Sequence, residues 1–430
     1  MPQAAPAPDT AASTNQLLLE AVRGDRQAQY RLAQTYDRER GDGTNGVEAL
    51  KWYRKAAEQG LAPAQFKLGT ALLAGEGGWA ADKAEAVLWL RRAAEQGHAE
   101  AAFMLGGCYG RGDGVPKDFQ SACQWIRTAA DAGVPRAQYW VGKAYQDGIG
   151  VARDPEQAVA WHRKAAESGF ADSQSCLGVA FLKGQGTNQD FMAATNWIYK
   201  AVGAGSLTAE YQLGLLLIKG DGLPQDLGAG VRWMLEAAGR GNADAQYEAA
   251  SLYLKGEGVP RSEAESFRWC RKAAEQGFAA AEETLSGLYR DGKGVEKDMA
   301  ESVRWLHLAA EHGRPSAQFA LGLSYVTGEG QPKDVAEAVR WFRLAAEQGS
   351  TEGQNSLGYA YATGTGVAQD LAEAYKWYSL ALADGNLHAE VNLRNLLTRL
   401  TETQISVGKA RAALYSPKSP DVRFDPALFK

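Results

Sequence analysis

The chain has 430 residues, 45% hydrophobic and 23% charged, with a net charge of −5 at pH 7 and an isoelectric point near 5.7. This is the composition of an ordinary soluble, folded protein, and its acidic balance excludes a general nucleic-acid binder, which needs a basic face to meet phosphates. No apolar run approaches the roughly 18 residues that cross a bilayer, so no membrane insertion is expected; residues 213–218 are interrupted by Gly214 and followed by Lys219.

The chain opens on an Ala-, Pro- and Thr-rich stretch, Met1 to Thr14, with neither a basic n-region nor an apolar h-region, so it is not a signal peptide as it stands. Residues 1–13 are expected to be disordered. Residues 14–24 read as an N-terminal capping helix, with Leu17, Leu18 and Leu19 on a short helix, Gln16 to Arg23, that stops at Gly24.

From residue 25 the chain repeats itself. Glycines fall at Gly97, Gly133, Gly169, Gly205, Gly241, Gly277, Gly313, Gly349 and Gly385, and tryptophans at Trp125, Trp161, Trp197, Trp233, Trp269, Trp305, Trp341 and Trp377, always 36 residues apart. Trp52 and Gly60 precede Trp89 and Gly97 with one extra residue between repeats. Residues 25–385 thus hold ten repeats, Asp25–Gly60 through Ser350–Gly385.

Each repeat reads as two short helices. In residues 137–169 the first carries apolar positions at helical spacing from Gln138 to Tyr145 and ends in Gly148-Ile149-Gly150, where glycine tolerates left-handed geometry. Asp154-Pro155 opens the second, Asp as a cap and Pro at the first helical position; Gly169 ends it. Asp recurs as the cap at Asp118, Asp190, Asp226, Asp298, Asp334 and Asp370, with Ser262 once in its place. Helices of ~12 residues, ~18 Å long, are too short to stand alone in water, so stability must come from stacking. The recurring Trp is the natural wedge, burying on the order of 200 Å². Small residues at Gly106, Gly142, Gly178, Gly214, Gly322 and Gly358, and Ala250 and Ser286 at the same phase, let helix backbones approach.

Two repeats depart from this pattern. The first has Thr44-Asn45-Gly46 in an altered turn after Arg40-Gly41, and the second has Gly77-Gly78-Trp79, a bulky aromatic in a loop. Residues 386–414 read as C-terminal capping helices, Leu387 to Arg399 and then Thr401 to Leu414, where Thr401 caps with Gln404 three residues on. The tail, 415–430, carries Pro417, Pro420 and Pro426 and is expected to be extended.

The pattern A-x-x-x-L-G-x-x-Y-x-x-G-x-G, then D and A-x-x-W-x-x-x-A-A-E-x-G, resembles the Sel1-like repeat, a relative of the tetratricopeptide repeat. It is visible in Ala317-Gln318-Phe319-Ala320-Leu321-Gly322, Gly328-Glu329-Gly330, Asp334 and Trp341 to Gly349, and covers Gly24 to Gly385. The resemblance implies an all-α fold, a right-handed superhelical solenoid of helix-turn-helix repeats. It also implies adaptor roles: assembling protein complexes and, in bacteria, meeting cell-envelope, host or toxin partners. It brings no shared catalytic residues. For a bacterial chain the compartment is the periplasm if an export signal has been removed, and otherwise the cytoplasm.

No catalytic or metal-binding constellation emerges from the residues. His98, His162, His307, His312 and His388 are scattered, and the i, i+5 spacing of His307 and His312 does not share a helical face. The Gly-x-Gly turns follow helices, not strands, and no Gly-Lys-Ser/Thr completes a nucleotide motif. Glu58, Glu95, Glu275 and Glu347 recur in A-A-E-Q-G helix ends and read as solvated. Cys108, Cys123, Cys176 and Cys270 have no metal spacing and read as free thiols, although Cys108 and Cys123 share one helical hairpin and a disulfide between them stays open.

Function must then lie where the repeats disagree. Along the first helix one phase varies freely: Lys67, Met104, Trp140, Cys176, Gln212, Glu248, Thr284, Ala320 and Ser356. Three residues later come Thr70, Gly107, Lys143, Val179, Leu215, Ser251, Gly287, Leu323 and Tyr359. Four further on come Ala74, Arg111, Asp147, Lys183, Lys219, Lys255, Asp291, Thr327 and Thr363. Offsets of 0, 3 and 7 share one helical face, and in related solenoids first helices line the concave surface. The expected partner site comprises Met104, Arg111, Trp140, Lys143, Asp147, Val179, Lys183, Leu215, Lys219, Lys255 and Tyr359, with Trp140 as anchor and Lys183, Lys219 and Lys255 as a basic ridge. The expected function is a monomeric scaffold or adaptor that binds a protein partner, with no cofactor and no enzymatic activity. An immunity protein that blocks a secreted toxin is the alternative within the binding class. A cell-wall or β-lactam hydrolase is the alternative outside it, and no nucleophile–base constellation supports it.

Overall fold

The computed structural model describes residues 10–38, 44–76 and 80–417. The helices of those residues fall into two compact units, the first ending at Ser206 and the second beginning at Leu207, and no strand occurs among the described residues. The first unit contains α1 (Thr10–Val22), α2 (Arg26–Arg38), α3 (Thr44–Glu58), α4 (Ala62–Ala74), α5 (Lys83–Glu95), α6 (Ala99–Arg111), α7 (Phe119–Asp131), α8 (Pro135–Asp147), α9 (Pro155–Glu167), α10 (Ala171–Lys183) and α11 (Phe191–Gly203). The second contains α12 (Leu207–Lys219), α13 (Leu227–Gly239), α14 (Ala243–Lys255), α15 (Glu263–Glu275), α16 (Ala279–Asp291), α17 (Met299–Glu311), α18 (Pro315–Thr327), α19 (Val335–Glu347), α20 (Thr351–Thr363) and α21 (Leu371–Ala383). It closes with α22 (Leu387–Leu397) and α23 (Glu402–Ala413).

Within each unit every helix packs on its neighbours in chain order, the arrangement of an all-helical solenoid. Five repeats fill each unit, with an even-numbered first helix and an odd-numbered second. α1 begins at Thr10, six residues before the Gln16 expected from sequence; Ala11 and Ala12 are strong helix formers and extend it. Thr44-Asn45-Gly46, expected as a turn, instead forms the first turn of α3. The 77–79 loop and the tail from 418 onward lie outside the described residues, as does Arg40-Gly41.

The repeat chemistry fixes each hairpin. Asp154 accepts from the amides of Glu156 and Gln157 at 3.1 and 3.0 Å, satisfying donors that the start of α9 leaves orphaned. The other expected caps act in the same way, Ser262 included, and Asp82, not among the expected caps, does so for α5. At the turn after α16, Gly292 takes the left-handed φ of +69° that stops the helix. Gly294 has a φ of +71°, and a Cβ there would collide with the carbonyl of Glu263 in the preceding repeat. The second glycine is therefore fixed twice, by conformation and by the backbone it touches.

Helix-to-helix spacing is set by a small residue facing a large one. A Cβ on Gly322 would lie 2.5 Å from the Phe342 ring, and one on Gly142 would lie 2.7 Å from the His162 ring. Next to this contact run the paired alanines, such as Ala273 and Ala274 (0% and 2% exposed), and the tryptophans: Trp161 is 3% exposed and Trp377 4%. A cation lies over several of these rings, Lys164 at 3.9 Å from the Trp161 centroid and Lys376 at 4.1 Å from that of Trp377. It covers one face of the ring with both charge and stem.

A polar interlock runs beside the apolar seam. Gln246 in α14 donates to the carbonyl of Ala238 in the preceding repeat at 3.0 Å, and Gln276 donates to Gln246 at 2.7 Å. Gln65 with Gln96, and Gln318 with Gln348, repeat the arrangement. The Gln of A-A-E-Q-G is thus a structural donor, while the Glu58, Glu95 and Glu275 beside it are exposed as expected. Where the buried Gln is replaced by Glu, its partner becomes a base. Glu210 meets Arg240, and Glu282, 1% exposed, accepts from or pairs with His312 Nδ1 at 2.6 Å. Removing the base takes a close hydrogen-bond partner from a buried carboxyl, which costs about 1–3 kcal/mol. His312→Ala should therefore lower the unfolding free energy by about that amount in chemical denaturation. Combining Glu282→Gln with His312→Gln should recover most of the loss, as Gln246 and Gln276 show; a double variant no more stable than His312→Ala would refute this.

His162 breaks the apolar pattern. Ile126 and Ile198 hold its register in the repeats on either side, yet His162 is 3% exposed and neither ring nitrogen has a hydrogen-bond partner among the described residues. Burial, helped by the nearby charge of Lys143, pushes its pKa down to about 3. The native state thus binds fewer protons than the unfolded chain below pH ~6.5, so stability falls as pH drops from that value towards 3. His162→Ile should remove this component. Melting curves between pH 7.5 and 4.5 should fall less steeply for the variant; parallel pH dependences would show that His162 is not the titrating group.

Candidate protein-interaction face

The variable positions occupy the first helices, α4 to α20. In the first unit Met104 is half-buried against the core and Trp140 is 3% exposed within it. The indole expected to be an anchor is therefore covered almost entirely by its own chain. Arg111 is ion-paired with Asp113 at 2.6 Å and Lys143 with Asp147 at 3.1 Å, so each charge is partly spent within the repeat. Val179 is half-buried. Lys183 is exposed at the end of α10.

In the second unit Leu215 is half-buried against the core, while Lys219 and Lys255 are exposed at the ends of α12 and α14, with no carboxylate paired to either among the described residues. Tyr359 in α20 is 56% exposed and Leu323 in α18 is 41% exposed. The structure thus groups Leu215, Lys219 and Lys255 on neighbouring first helices and puts Tyr359 further along the same unit. Lys183 belongs to the first unit, so within one unit the basic ridge is a pair. First helices of neighbouring repeats also touch directly: the hydroxyls of Tyr247 in α14 and Thr284 in α16 lie 3.4 Å apart.

The second unit also holds a cleft of about 440 Å³ between α16, α17 and α18, reached by Gly287, Ala320, Leu323 and Thr327 from the variable phases. The first unit has a smaller one, about 180 Å³, beside Trp140, Cys123, Arg127 and Tyr145. Sequence reasoning missed the larger cleft, because it is formed jointly by residues of three helices. The signal was present in Gly287 and Ala320, which put small residues at two variable phases of neighbouring repeats.

The thiols are chemically quiet. All four cysteines are free, Cys108 and Cys123 included, and burial raises the pKa of Cys108 and Cys123 to about 11 and of Cys176 and Cys270 to about 12. Among the described residues no three His, Cys, Asp or Glu side chains gather to hold a metal, and no helix is long and apolar enough to cross a membrane.

The profile of the Sel1 repeat matches ten consecutive segments: residues 26–61, 62–98, 99–134, 135–170, 171–206, 207–242, 243–278, 281–313, 315–350 and 351–386. These boundaries place one first helix and one second helix in each repeat. The chain is 32% identical to a Sel1 repeat protein from Oxalobacter formigenes, with a TM-score of 0.55 over 75% of this chain and 98% of that one. It is 30% identical to c5321, a protective antigen of uropathogenic Escherichia coli strains with an SLR fold, with a TM-score of 0.53 over 97% of this chain and 96% of that one. An immunity protein from Pseudomonas aeruginosa, PA5088, is also similar, at 21% identity and a TM-score of 0.38 over 50% of this chain and 80% of its own. No curated protein matches the chain. With ten matched repeats accounting for nearly every helix described, the chain belongs to the Sel1 repeat family.

Proposed function

We propose that the protein is a scaffold or adaptor that binds a protein partner on its first-helix face. One observation carries this reading. The buried frame of Gly, Ala and Trp hardly changes between repeats, while the first helices present exposed, changing side chains, among them Lys219, Lys255, Leu323 and Tyr359. Exposed aromatic and aliphatic groups and uncommitted cations on one set of helices are the composition of a recognition surface. A frame that needs its glycines and tryptophans for stacking leaves these positions free to be selected for a ligand.

The reading is tested by affinity capture from the source cell followed by mass spectrometry, with three variants of the full chain run in parallel. Lys219→Glu and Tyr359→Ala should each reduce recovery of the captured protein about fivefold or more, the effect of losing ~1 kcal/mol or more at a hot spot. Arg304→Glu, on an exposed second-helix position, should leave recovery unchanged. Equal recovery with all three would move the interface off this face. Identification of the captured protein as a secreted toxin would make the scaffold an immunity protein.

A further inference from the structure

Building on the scaffold role proposed above, we infer that the cleft between α16, α17 and α18 receives one bulky apolar side chain of a protein partner, with a basic residue of the same segment close by. The chain supplies its own comparison. Five repeats of 36 residues upstream of Ala320, Val303, Leu306 and Glu283 stand Trp140, Cys123, Ile126 and Phe103. Those four residues lie together in one buried cluster of the first unit. At that register the first unit fills the space between helices with its own indole. The second unit places alanine there, and glutamate where the first has Phe103.

The resulting space is open. A Cβ on Gly287 would meet nothing within 4 Å, and the cleft measures about 440 Å³, within the range of sites that hold small ligands and anchoring side chains. Val303 and Leu306 supply an apolar lining and Leu323 an exposed apolar wall. Its charges define what else the occupant carries. Glu283 is neutralised by Arg314 at 2.6 Å and Arg290 by Asp291 at 3.0 Å. Glu329 also lines the cleft, and among the described residues no cation is paired with it. Asp291 also holds Lys293 at 3.3 Å, off the cleft lining, so of the charged side chains that line the cleft Glu329 alone has no ion pair among the described residues, and its complement is a Lys or Arg beside the apolar anchor.

The probes are the capped peptides acetyl-Trp-Ala-Lys-amide, acetyl-Trp-Ala-Glu-amide and acetyl-Ala-Ala-Lys-amide, titrated into the full methyl-labelled chain and followed by NMR. The Trp-Lys peptide should shift the methyls of Leu306 and Leu323. The Trp-Glu peptide should bind about tenfold more weakly, and the Ala-Lys peptide should leave those methyls unmoved. Ala320→Trp should abolish the shifts by filling the cleft as Trp140 fills its own. Gly287→Leu, on a helical position with open space, blocks the cleft from the other side and serves if Ala320→Trp fails to fold. Shifts confined to other sites, equal binding by both Trp peptides, or unchanged binding in the filled variants would overturn the inference. Shifts of the same methyls on concentrating the protein alone would assign the cleft to a second copy and overturn it as well. A captured partner that binds Ala320→Trp as well as the natural chain would reject the cleft while leaving the scaffold reading intact.

Discussion

Everything in this structure depends on how closely the two helices of a repeat can approach. A helix of 13 residues forms too few hydrogen bonds to repay its own nucleation in water, so no repeat can be stable until it is packed. At the crossing one helix supplies a glycine or another small residue and the other a large side chain, as in Gly322 against Phe342. That contact sets the spacing at which the paired alanines close and the tryptophan of the second helix is covered. It also brings the second glycine of most turns, such as Gly186 and Gly294, against the backbone of the preceding repeat, so geometry passes from one repeat to the next through backbone atoms. Stability in such a stack is a sum of repeat and interface terms, and each interface reuses the same few contacts.

An interface made only of recurring Ala and Trp would be permissive, because any repeat could dock on any other. The buried amides make it specific. A Gln that reaches the carbonyl eight residues before it, while accepting from the Gln at the end of its own repeat, is satisfied in one register only. Buried polar groups of this kind are costly when misaligned, and that penalty works against slipped pairing. The exceptions follow the same logic. Glu282 as a carboxylate cannot donate to a carbonyl; it meets His312 within the repeat as Gln246 meets Gln276, and the local turn amide of Gly277 satisfies Ala274. Repeats joined by sequence-similar seams are the proteins most exposed to misassembly, which gives these differences a role during folding as well as after it.

Most of the fold was legible in the sequence because its determinants are local and recur. The Asp caps, the left-handed glycines and the 36-residue step of Trp161, Trp197 and Trp233 each mark one point of the hairpin, and repetition separates them from coincidence. The interlock was less legible. Gln in A-A-E-Q-G resembles any polar helix end, and its partner lies about 30 residues away on another helix. His162 was visible as a residue but not as a buried one, since its environment depends on Gly142 in the preceding helix. The start of α3 was misread because Thr44-Asn45-Gly46 has turn composition, and tertiary packing overrides such weak preferences.

The candidate interface was legible as a set of positions but not as a surface. Variation between repeats finds where the frame imposes nothing, and that freedom has two uses. A large side chain at a variable phase can turn inward and become private core, as Trp140 does. A small one can leave a cavity open, as Ala320 does. The residue type that most resembles a binding hot spot is therefore the one most able to bury itself, and the least conspicuous positions, Gly287 and Ala320, line a cleft of about 440 Å³ on the second unit. In a repeat protein a place to look for a ligand is where one repeat leaves small a register that another, as at Trp140, fills with a large side chain.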